Sequence, residues 1–98
     1  MRRLPLLFAV VALAGCGSSS APKGTDGRSL FAGSCGSCHT LADAKTSGSF
    51  GPDLDELQPD RARVAAAIAA GPGSMPAKLL DGAQAEAVAA YVASTASR

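Results

Sequence analysis

The 98-residue chain has no tryptophan, one tyrosine, three phenylalanines and a single histidine. So few rings exclude a core built on large aromatic side chains. Three cysteines cannot form the set of disulfides that staples many small exported domains. Charge of either sign is scarce, with nine Lys plus Arg against eight Asp plus Glu. That balance gives no basic stripe or tail, so nucleic acid is not an expected partner. No apolar run reaches membrane-spanning length. The longest, Leu4 to Leu13, extended to Ala14 measures about 16 Å as a helix, against the ~30 Å of a bilayer core.

What is present is mostly small. Hydrophobic residues make up 47% of the chain, too many for a disordered tail, but alanine alone accounts for 21 residues. After Cys16 only fourteen large apolar side chains remain, from Leu30 to Val92. A domain of about 80 residues is marginal on surface-to-volume grounds. With so thin a core it needs a metal or an apolar cofactor.

The N-terminus reads as an address. Arg2 and Arg3 precede the short apolar run, and small residues close it, as in a secretory signal peptide. Leu13-Ala14-Gly15-Cys16 resembles the bacterial lipoprotein signal, in which cleavage precedes a cysteine that receives lipid. That resemblance implies a cleaved segment over residues 1–15 and lipidation at Cys16. Residues 16–25, with their Gly-Ser-Ser-Ser-Ala-Pro run, then form a flexible tether. The expected location is the bacterial envelope, lipid-anchored to a membrane and facing the periplasm or other extracytoplasmic side.

Residues 26–98 form the one domain the length allows. Thr25 or Asp26 caps a first helix ending near Ser34. Residues 40–58 read as loop, because Gly48, Gly51 and Pro52 interrupt them. Asp60 opens a helix over 61–70, which Gly71 ends. Two glycines and two prolines forbid regular structure over 71–76. Asp81 and Gln84 form a capping-box-like pair ahead of a last helix, 82–94. No useful length alternates with period two, so the expected class is all-α.

Cys35-Gly36-Ser37-Cys38-His39 carries the chemistry. C-x-x-C-H is the attachment pattern of c-type haem. Two thiols two residues apart on a turn each add across one haem vinyl group, and the following imidazole ligates the iron. Three other readings compete for these residues. A thioredoxin-like pair wants a βαβ setting, which the pattern lacks. A structural zinc site wants four ligands, and only three remain once Cys16 is assigned to lipid. A plain Cys35–Cys38 disulfide leaves the thin core unexplained.

Over residues 26–98 the chain resembles a small monohaem class I cytochrome c. Gly27 and Phe31 lie eight and four residues before Cys35. In that family these positions meet the last helix, whose aromatic corresponds to Tyr91. The resemblance implies three to four short helices wrapped around one covalently bound haem c. It implies that the Pro52 carbonyl, in Gly51-Pro52-Asp53-Leu54, accepts a hydrogen bond from His39. It also implies that Met75, in Met75-Pro76-Ala77, is the second axial ligand. Met75 is the only methionine besides Met1, with Lys78 the alternative ligand and gap-filling its ordinary structural role. Arg61, Arg63 and Lys45 are candidates for the haem propionates, though surface charge explains each equally simply. The implied work is single-electron transfer between donor and acceptor proteins, by a monomeric carrier without substrate turnover. A rival is an electron-relay subunit of a larger oxidoreductase.

Overall fold

The computed structural model describes residues 24–96. The signal segment, Cys16 and most of the tether lie outside the described residues. Four α-helices and one small hairpin follow in chain order: α1 (Gly27–Ser34), β1 (Thr40–Leu41), a 3-10 turn (Ala42–Ala44), β2 (Thr46–Ser47), α2 (Leu54–Leu57), α3 (Arg61–Ala70) and α4 (Gly82–Thr95). Among the described residues no helix is long and apolar enough to cross a membrane.

Local chemistry sets most boundaries. The Asp60 carboxylate accepts the Arg63 N–H at 2.8 Å and so caps α3. Gly71 ends α3 in the left-handed region, at φ +58°, where a side chain is strained. Asp26 is the N-cap residue of α1, although its carboxylate takes the Ser29 hydroxyl at 2.5 Å rather than a backbone N–H.

Two expectations are corrected. The stretch 40–58 is not all loop. Thr40 pairs with Ser47 and Leu41 with Thr46 in an antiparallel hairpin, and α2 adds one turn capped by the Asp53 carboxylate. Strands two residues long leave no alternation to read. The second correction concerns the start of α4. Asp81 makes no side-chain cap there, and Gln84 donates to the Gly24 carbonyl at 3.1 Å. Gly82 enters the helix at φ +52°, which removes the backbone geometry a capping box requires.

Both α1 and α3 pack on α4. Their shared core comprises Leu30 and Phe31 from α1, Leu41 from β1, Ile68 from α3, Leu80, and Val88 and Val92 from α4. Gly27 marks the α1–α4 crossing. A Cβ there would stand 2.5 Å from the Tyr91 Cβ and 2.8 Å from the Ala87 carbonyl oxygen. Only glycine admits this approach. The Phe31 and Tyr91 rings then meet at 6.3 Å between centroids, tilted by 56°. Gly27→Val must push the helices apart, and a cost of about 1–3 kcal/mol is expected. Thermal melting of the loaded protein checks this; an unchanged midpoint places the critical contact elsewhere.

Candidate functional site

The C-x-x-C-H segment begins where α1 ends. The Cys35 and Gly36 N–H groups both reach back to the Phe31 carbonyl, at 2.8 and 2.9 Å, and the His39 N–H reaches Cys35 at 3.1 Å. This tight turn brings Cys35, Cys38 and His39 to one cavity of about 510 Å³. Pro52 and Met75 line the same cavity, although they lie 13 and 36 residues beyond His39. All five described site residues read from the sequence are therefore gathered in one place.

The imidazole is held from behind. His39 Nδ1 lies 2.8 Å from the Pro52 carbonyl oxygen. A carbonyl can only accept, so Nδ1 carries the proton and Nε2 is left as the nitrogen available to a metal. Gly51 lies flat against the ring, where an added Cβ would come within 2.6 Å of Cε1. The Gly51 N–H donates to the Cys38 carbonyl at 2.7 Å. Gly48 packs against the Ser37–Cys38 backbone, where a Cβ would approach to 2.7 Å. Thr46 Oγ1 donates to the His39 carbonyl at 2.9 Å. The sequence reading missed these contacts of Thr46, Gly48 and Gly51. Glycine density in 48–51 is the one signal that points toward them.

The competing readings of the motif fare poorly. Cys35 and Cys38 are free thiols rather than a disulfide. Among the described residues no group of three His, Cys, Asp or Glu side chains is gathered as a metal site. The sheet among them is a two-stranded antiparallel hairpin, not a βαβ unit. Before any group is attached, burial, and then the neighbouring Cys38, pushes the Cys35 thiol up to about 11, so at neutral pH it is a neutral S–H.

The cavity suits a flat apolar group. Phe31, Leu54, Val64, Ile68, Val88 and Val92 line it, and Arg63 is its one side chain of fixed charge. Among the described residues, Phe50, Leu57 and Leu79 are the large apolar side chains left exposed, Phe50 by 76%. All three border this cavity, so an apolar occupant would cover the very surface that the fold leaves in water. The alternative ligand Lys78 faces elsewhere. Its N–H donates to the Ile68 carbonyl at 2.8 Å, and it lines a separate hollow with Leu80, Asp81 and Glu86. Arg61 pairs with Glu86 at 2.7 Å, and neither Arg61 nor Lys45 lines the cavity.

Two adjacent thiols, an oriented imidazole and an apolar cleft define the class of c-type haem proteins. The chain belongs to the family described as cytochrome c oxidase, cbb3-type, subunit III, whose model matches residues 22–92. Among solved structures, it is similar to the c-type cytochrome SorU from Sinorhizobium meliloti. The two are 47% identical, the match covers 74% of this chain and 88% of that one, and the TM-score is 0.68. No curated protein matches the chain. Membership of this family implies a covalently bound haem c and haem-based electron transfer, and the residues around the cavity fit that group.

Proposed function

We propose that this chain is a monohaem electron carrier, lipid-anchored in the bacterial envelope and shuttling single electrons between membrane-associated redox partners. One observation carries the reading. Cys35, Cys38, His39, Pro52 and Met75, scattered over 41 positions, converge on a single apolar cavity. When bound, the haem supplies one reversible one-electron couple.

The protein's residues make that couple usable. Thioether bonds from Cys35 and Cys38 would keep the group from dissociating. The Pro52 carbonyl oxygen, 2.8 Å from His39 Nδ1, accepts its N–H, which fixes the ring and would present Nε2 to the iron. Met75, in the loop after α3, lines the same cavity and would hold the iron together with His39. Held by both His39 and Met75, the iron would offer no position for a substrate, in keeping with a carrier. The electron comes from a reduced donor protein and passes to an oxidised acceptor.

The Leu13-Ala14-Gly15-Cys16 signal supports the anchor. Confinement by the tether raises the effective concentration of membrane-bound partners. Cell fractionation followed by a haem stain tests this. Wild type is expected in the membrane fraction. Cys16→Ser is expected either in the soluble envelope fraction or as uncleaved precursor. A processed Cys16→Ser protein that stays in the membrane fraction contradicts the anchor. The family description names an oxidase subunit, which favours a second reading, an electron-relay subunit of a larger complex. Mild solubilisation separates the two: a free carrier migrates alone, and a subunit migrates with its partners.

A further inference from the structure

We propose that Asp43 is a positioning residue for His39: its carboxylate fastens the hairpin that seats the imidazole to the α1–α4 crossing. The inference rests on reading His39 as the iron ligand. Its observations are independent of that reading.

Asp43 lies in the 3-10 turn at the tip of the hairpin. One of its oxygens, Oδ2, accepts from the Tyr91 hydroxyl of α4 and, at 3.1 Å, from the Arg28 guanidinium of α1. Tyr91 is the residue packed on Gly27 and Phe31. A single carboxylate thus joins three elements that are far apart in sequence.

From the hairpin, the contacts lead to both sides of the imidazole. β1 begins at the residue after His39, and Thr46 Oγ1 from β2 donates to the His39 carbonyl. Thr40 Oγ1 donates to the Gly48 carbonyl at 2.9 Å, which steers the chain toward Gly51 and Pro52. The Ala42 N–H, beside Asp43, donates to the Asp55 carboxylate at 2.8 Å. Asp55 belongs to α2, whose cap Asp53 directly follows Pro52. Movement of the turn is therefore felt at both partners of the His39–Pro52 hydrogen bond.

The charge matters as well as the shape. The Tyr91 hydroxyl and then the Arg28 cation hold Asp43 below the usual carboxylate range. The groups that face it from packed elements are Arg28 on α1 and Tyr91 on α4; the Asp55 carboxylate of α2 lies at the adjacent Ala42 N–H, and Lys45 follows the turn as its C-cap. A depressed acid contributes its full stabilisation above its unfolded value of 3.8 and loses it as pH falls below that value. The fastening is therefore intact at neutral pH and released by acid.

The test uses the full-length, haem-loaded, oxidised protein and reads exchange of the His39 ring N–H with solvent by NMR. Asp43→Asn and Tyr91→Phe both keep the local shape, and Tyr91→Phe also keeps the ring packed on Phe31. Each is expected to speed ring N–H exchange about tenfold at neutral pH, the scale of one lost hydrogen bond to a charged group. Backbone amides within α3 should keep their wild-type protection, and Asp43→Glu should restore much of the slow exchange. Acidified wild type should approach the Asp43→Asn rate. Ring exchange within twofold of wild type in both variants overturns the proposal, as does equal loss of protection in α3. The position of the ring signals reads the ligand separately. Signals without the large shifts caused by bound ferric iron contradict His39 as ligand, while the exchange rates still decide the role of Asp43.

Discussion

Met75→Ala is expected to abolish the weak near-infrared charge-transfer band of the oxidised protein and to lower its reduction potential by tenths of a volt. Axial ligands spread haem potentials over about 0.8 V, and a methionine thioether opposite histidine lies toward the high end. The magnitude follows from how the loop is built. The Met75 N–H donates to the Pro72 carbonyl at 3.1 Å, closing a turn. On one side of that turn Gly71 runs at φ +58° with the Ala77 backbone where its Cβ would be. On the other side the Lys78 N–H is tied to the end of α3, and Leu80 is buried. The loop is pinned at both ends, and Met75 lines the cavity from it. An alanine cannot span the same distance, and Lys78 lines a different hollow, so no neighbouring side chain stands ready to replace the ligand. Absorption spectra and potentiometric titration of wild type and variant check the expectation. Unchanged band and potential would sink Met75 as a ligand.

Replacing both thiols, Cys35→Ala with Cys38→Ala, is expected to remove all haem that survives denaturation and to leave most of the chain unfolded. Among the described residues, seven large apolar side chains are buried: Leu30, Phe31, Leu41, Ile68, Leu80, Val88 and Val92. Another three, Phe50, Leu57 and Leu79, remain exposed around the cavity. Without a retained occupant the protein keeps an open apolar cleft and a small core, while the entropy cost of ordering the chain is undiminished. A bound group that exists only with the fold contributes its binding free energy to folding. Circular dichroism together with a haem stain on a denaturing gel measures both effects. A double variant with wild-type helix content would show that the core suffices alone, and a stained band would show attachment elsewhere.

The legible parts of this molecule are those written in short, local signals. The bounds of α3 follow from Asp60 before it and Gly71 after it, because a cap and a left-handed terminus each need particular residues. The thiols and imidazole are contiguous, so the site's centre is visible as a motif. Gly27, Phe31 and Tyr91 were placed at the helix crossing by resemblance, and the 6.3 Å ring contact agrees. The resemblance also placed Pro52 behind the imidazole, where the 2.8 Å contact is found. Other features have no local trace. A hairpin with two-residue strands is too short for alternation. The Asp43–Tyr91 contact joins side chains 48 residues apart, and nothing in either neighbourhood announces it. The Asp81–Gln84 pair has the right spacing for a capping box, yet the positive φ of Gly82 overrides it. The role of Gly51 depends on a ring that reaches it from 12 residues away.

The most direct measurement is the intact mass of the purified protein under denaturing conditions, followed by peptide mapping. The expected mass exceeds that of the otherwise identical polypeptide without haem by one haem, and the added group maps to the peptide holding Cys35 and Cys38. A polypeptide mass without haem, with both thiols free to alkylate, would contradict covalent attachment at the cavity and with it the proposed one-electron carrier.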